Sequence, residues 1–387
     1  MIRRAVVIGA LALAAAGCTA RDTVARLGGT PEPRDLYCMG SGPPVLIGGA
    51  CTGEIAEELF RDAVCGCASL AFDQLTTDAF DSRVAPYSPG GVGGDVASNA
   101  GLKANRNMRI GGSVTIAGAE GIEAGSGGRL DVAGDLDSGG VLGRNTSTIA
   151  VVGSARVGGN VDVGTLTVGG TLTTTTAATV SGAVTAGNRQ TAPTVAVPAP
   201  CPCDGVLDVG AVVTNHAAAN HDADIGLAPT ALAGIAGDAT LELPCGRFYL
   251  TEIRGQANGT VTLRATGRTA LFIGGNITLQ QNLIVDVVPG AELDLFVAGV
   301  IQTSSALTLG AVDRPRALRV YVASGGSVTL AGGSQLAGNL YAPSADLVSS
   351  GPIDVYGALV VRRIVSAAPV NLHYDRAVAF AAQDCVD

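Results

Sequence analysis

From Val261 to Asp375 the chain is a run of short apolar bursts cut by glycine: VTLRATGRTALFIGG, AELDLFVAGVI, ALTLG, ALRVYVASGGSVTL, LAGNLYAPSADL, IDVYGALVVRRI and NLHYD. Leu271, Leu293, Leu318, Leu340 and Leu359 take comparable places in successive bursts, 22, 25, 22 and 19 residues apart. Alternating apolar and polar residues in short runs signal strands. Their recurrence at this length makes each unit one coil of a solenoid. A similar tract runs from Ile110 to Ala186, with Leu130, Val132 and Leu136, then Val157, Val161 and Val163, at alternate positions between Gly-Gly corners. The expected fold is therefore all-β: a right-handed β-helix, or β-solenoid, in two tracts. With 55 Gly, 7 Phe, 7 Tyr and no Trp, the chain suits a thin core better than a bulky one.

The N-terminus directs the chain out of the cytoplasm. Arg3 and Arg4 precede an apolar stretch, Ala5 to Ala16, too short to span a bilayer. Ala-Ala-Gly-Cys follows and resembles a bacterial lipobox, which makes Cys18 the expected lipidation site. Residues 1–17 are then a signal peptide and 18–35 a lipidated tether, and multiple acyl chains hold such a protein stably on a membrane. Thr19 after the cysteine favours the outer membrane or cell surface by resemblance to Gram-negative sorting.

Removing Cys18 from the 9 cysteines leaves 8: Cys38, Cys51, Cys65, Cys67, Cys201, Cys203, Cys245 and Cys385. An even number in an exported chain reads as disulfides. The two C-x-C pairs cannot bridge comfortably within themselves, so each is expected to pair with the other two cysteines of its own half. Residues 36–74 read as a cysteine-rich cap over an open solenoid end, with a helix starting at Thr52 that places Ile55, Leu59 and Ala63 on one face. Residues 75–190 form the first tract, the Pro-rich stretch 191–203 a linker, and 204–387 the C-terminal β-helical domain.

Several phrases of the second tract carry a resemblance: GRTALFIGG, AELDLFVAG, RPRALRVYV, GNLYAPSADL, VYGALVVRR and VNLHYDRAV. They resemble the C-terminal domain of unknown function of exported bacterial proteins, among them PilX-type pilus accessory proteins and myxobacterial surface lipoproteins. The shared run is Asn339 to Ala345, Tyr356-Gly357 and His373-Tyr374-Asp375. The resemblance implies a β-helical fold and an exported location, and no reaction. The first tract is loosely similar to the polymer-forming bactofilins.

Candidate chemistry is sparse. His216, His221, Asp222 and Asp224 form the one metal-like cluster, but neither H-E-x-x-H nor an EF-hand loop is present, and a polar loop is the simpler reading. Glu292 and Asp294 share a strand face and could act as an acid pair on a glycan. His373 and Asp375 could serve as acid and base, or could cap backbone groups at a strand end. No phosphate loop or dinucleotide fingerprint occurs, so no cofactor is expected. The formal net charge of −9 gives nucleic acid no electrostatic foothold. The expected role is a non-enzymatic structural or adhesive surface lipoprotein, binding envelope polysaccharide or a surface or pilus protein. Its alternatives are a carbohydrate-active β-helix enzyme and a bactofilin-like polymer.

Overall fold

The computed structural model describes residues 33–39, 46–47, 50–144, 146–256 and 258–384. Cys18, the expected signal peptide and Cys385 lie outside the described residues. The rest is an all-β solenoid built on one 31-stranded sheet. Through most of the second tract each strand pairs in parallel with the third strand after it, so three strands make one coil.

One inward column traces the whole winding: Leu241, Leu263, Val285, Leu309, Leu336, Val355, Leu372, Thr77, Ile110, Val132, Val151, Val168 and Ala186. At ~4.8 Å per rung these thirteen residues span roughly 60 Å. The column leaves the second tract at Leu372 and enters the first at Thr77. Strand Pro369–Asp375 pairs along its full length with Gln74–Phe80. The last coil of the chain is thus stacked on its first, and the two tracts form one continuous stack. Pairing also explains why neither rung is left as an unsatisfied edge.

The true coil recurrence differs slightly from the leucine spacing. Leu271, Leu295, Val320, Leu340 and Leu359 occupy one inward column, whereas Leu293 and Leu318 stack two positions earlier, above Thr269. Corners need glycine where the ~4.8 Å rung spacing leaves no room for a side chain. At Gly121, with φ +67°, a Cβ would stand 2.1 Å from the Val141 carbonyl oxygen of the next coil.

Two straps run down the outside of the stack. The first carries helix α1 (Arg34–Met39) and helix α2 (Thr52–Leu59). Cys51, not Thr52, is the N-cap of α2, and Glu54 completes a capping box. Ile55 and Leu59 are buried, while Ala63 lies past the end of the helix. The second strap comprises residues 193–234, with helices α3 (Val209–His216) and α4 (Asp222–Ile225).

These straps explain an outward column of large rings that is nevertheless buried. Phe272, Phe296 and Tyr321 stack with centroids 5.1 and 4.7 Å apart, and the His216 ring of α3 lies flat on Phe272 at 4.0 Å. Phe60, from the first strap, meets Tyr321. Burying such rings is worth about 2 kcal/mol each, which holds the straps in place.

The cysteine-rich segment is therefore a flank of the stack and part of its middle rungs, since Val64–Gly66 and Leu70–Phe72 are themselves strands of the sheet. It does not cover an end. One end is closed by residues 221–235 instead: Arg247 N donates to His221 Nδ1, Tyr249 N to Asp222 Oδ1, Thr251 N to Pro229 O and Arg254 N to Leu232 O. At the other end, strand Val180–Ala192 pairs, among the described residues, only with Val161–Thr175. There Arg189 takes the inward place held by Leu172 one rung below, and its guanidinium donates to the Val184 carbonyl on the neighbouring face.

Candidate functional site

The acid pair suggested by AELDLF is not a catalytic pair facing solvent. Asp294 is fully buried beneath the first strap, where it accepts a hydrogen bond from Thr52 Oγ1 at 2.6 Å and from the Arg319 Nε. Arg319 also reaches Glu292 Oε2 at 2.8 Å. Burial pushes the Asp294 carboxyl up, and the Arg319 guanidinium and Thr52 oppose it. Sequence spacing placed both acids on one outward face correctly. What it could not show is that α2 covers that face.

The histidine cluster is also dispersed. His216 stacks on Phe272 and its Nδ1 lies 2.8 Å from the Val212 carbonyl, with burial pushing its pKa down. His221 and Asp222 pair the free edge of the second tract's first coil. Asp224 is exposed in α4. Among the described residues no group of three or more His, Cys, Asp or Glu side chains could hold a metal ion.

Asp375 caps backbone. Its Oδ1 accepts from Ser82 N at 2.9 Å and Ala377 N at 3.1 Å, and its Oδ2 from the Ser82 hydroxyl at 2.7 Å. Burial raises its pKa against those bonds.

His373 has a different role. Its Nδ1 lies 2.7 Å from Asp78 Oδ1, directly across the junction of the two tracts. The other Asp78 oxygen accepts from Tyr87 OH at 2.9 Å and Gly90 N at 3.0 Å, so one buried carboxylate ties His373 to the loop 81–94. Burial pushes the Asp78 carboxyl up, but these hydrogen bonds win and its pKa is lowered. The imidazole is flanked by Tyr87 and Tyr356, at ring distances of 4.3 and 4.7 Å. Burial and the Asp78 charge raise the Tyr87 phenol, so it stays a hydrogen-bond donor.

The loop overhangs the solenoid face and makes an open groove of about 570 Å³. Its floor is the outward column Thr76, Arg109, Asp131 and Ala150, and Asp78, Tyr87 and His373 line one end. This groove is the candidate functional site. Asp78, Tyr87 and Arg109 carried no sequence signal, because no periodicity reveals that Pro369–Asp375 stacks beneath Gln74–Phe80.

The disulfides join the halves. Cys38 bonds Cys245, Cys65 bonds Cys201 and Cys67 bonds Cys203, and Cys51 is also disulfide-bonded. The expected pairing within each half is thus overturned. Cys65 lies in the strand Val64–Gly66 and Cys67 just past its end, and both sulfurs meet the passing strap at Cys201 and Cys203.

Among the described residues no helix is long and apolar enough to cross a membrane. No curated protein and no solved structure matches the chain. Residues 208–380, which include α3, α4 and the second tract, match DUF7305, a domain of unknown function.

Proposed function

We propose that this chain is a non-enzymatic structural or adhesive element of the bacterial outer surface, anchored through a lipid on Cys18 and binding envelope polysaccharide or a surface or pilus protein. The observation that carries the reading is the stack itself. Thirteen rungs carry one outward face roughly 60 Å long, overhung by the loop 81–94 at the junction, and disulfides fix the stack between segments 136 and 207 residues apart. Rigid ladders of this kind recognise extended partners by many small contacts. Disulfides in this number favour an oxidising compartment, in keeping with export.

The alternatives are weaker. A carbohydrate-active enzyme has lost its best acid pair to the Asp294–Arg319 ion pair. An end-to-end polymer needs open coil ends, whereas one end is paired by residues 221–235 and a charge lies over the other.

Two measurements test the proposal. Residues 19–387 are screened against surface polysaccharides with product release followed in the same wells: binding without new reducing ends or unsaturated products is expected, and turnover would overturn the reading. In cells, Cys18→Ala should move the protein from the membrane fraction to the soluble one. Unchanged fractionation would remove the lipid anchor from the proposal.

A further inference from the structure

We infer that the groove at the junction of the two tracts binds an acidic polysaccharide through a carboxylate held by Arg109. This rests on the adhesive reading above and narrows its ligand to a uronate-type chain.

The charge pattern of the groove floor carries the argument. Arg109 and Asp131 stand on adjacent rungs in register. Asp131 is engaged by Arg129, with a 2.7 Å ion pair. Arg109 is exposed and, among the described residues, makes no side-chain hydrogen bond or ion pair. Of the two acids that line the groove with it, Asp131 is held by Arg129 and Asp78 by three hydrogen bonds, which leaves the Arg109 guanidinium as the charge there without a partner. Guanidinium geometry suits a carboxylate, which it can grip through two parallel hydrogen bonds.

The surroundings suit a sugar ring better than a free anion. Thr76 offers a hydroxyl on the rung next to Arg109. Tyr87 and His373 offer ring surface at one end of the groove. Val92 and Val152 are 74 % and 71 % exposed, and they supply apolar surface for the C–H face of a pyranose. The volume lies within the range of small-ligand sites.

The wall is also held in place before any ligand arrives. Asp78 fixes both His373 and the loop through three hydrogen bonds. The loop lies flat on the strand beneath it: a Cβ on Gly91 would stand 1.9 Å from the Ala79 carbonyl oxygen. Binding therefore costs little ordering of the groove.

The test compares polygalacturonate, its fully methyl-esterified form and dextran, with residues 19–387 in affinity electrophoresis and calorimetry. Retention by polygalacturonate alone is expected, with Arg109→Gln weakening it at least tenfold. Arg264→Gln, which removes an exposed arginine of the second tract outside the groove lining, should leave it within twofold. Equal binding of acid and ester, equal loss in both variants, or no binding of polygalacturonate would each overturn the inference. If the wild type binds dextran or other surface glycans and Arg109→Gln changes nothing, the groove assignment fails while the adhesive reading stands.

Discussion

His373 and Asp78, 295 residues apart in the chain, meet at 2.7 Å on adjacent rungs and join the second tract to the first within one stack. The contact is part of a column, Tyr356–His373–Asp78, in strict register. Asp78→Asn keeps the shape but removes the charge that His373, Tyr87 and Gly90 share. Loss of about 2–3 kcal/mol is expected in urea unfolding. The pH dependence follows from the lowered Asp78 pKa. Its stabilisation is complete above the ordinary carboxylate value near 3.8 and is lost as pH falls through the lower folded value. The wild type should therefore shed stability on that acid limb, and Asp78→Asn should flatten it. Parallel limbs in the two proteins would refute the assignment.

The paired disulfides predict strong non-additivity. Cys65–Cys201 and Cys67–Cys203 close the same 136-residue loop. By loop-closure entropy the first bond is worth about 5 kcal/mol, and the second closes only the few residues left free. Removing either pair by Cys→Ser should cost no more than about 1–2 kcal/mol, while removing both should cost most of the 5. Equal, additive losses in thermal unfolding would show that the two bonds act through native contacts instead.

Fold class was legible because alternation and glycine corners are local. The inward columns through Leu271, Leu340 and Leu359, or Leu130 and Val132, are single-strand properties that periodicity reports directly. The order of the stack is not local. Nothing near Leu372 or Thr77 announces that they are neighbours, so the groove, the pairing of Cys65 with Cys201 and the burial of Asp294 were all out of reach together. Each depends on a segment crossing back over the solenoid, and outward residues such as Phe272, Phe296 and Arg319 gave the one available hint. They are too large and too apolar, or too costly as charge, for a bare face.

Asp62 makes stability depend on pH in the opposite sense from Asp78. Burial and the neighbouring Asp95 push its carboxyl up to about 7. A raised folded pKa means that the native state holds the proton more tightly, so stability declines as pH rises from near 4 towards 7 and is flat above. Asp62→Asn removes that decline. At pH 8 the variant should be more stable by about 1–2 kcal/mol, a figure reduced for partial solvent screening, with no gain at pH 4. A constant offset between the two proteins across this range would exclude the proposed cause.

Arg189 marks the one coil end that no other described segment pairs. Inward positions below it hold Leu136, Ala155 and Leu172, so the column would present an apolar rim if the pattern continued. A charge at that place opposes stacking of a second solenoid, because docking would strip water from the guanidinium without supplying an acid. Arg189→Leu restores the apolar column up to the edge strand Val180–Ala192, whose Val180 is already 43 % exposed. The variant should shift to higher mass with rising concentration in sedimentation velocity, relative to the wild type, and Arg189→Glu should not. If Arg189→Leu sediments as the wild type does across the same range, the charge is not what keeps this end single.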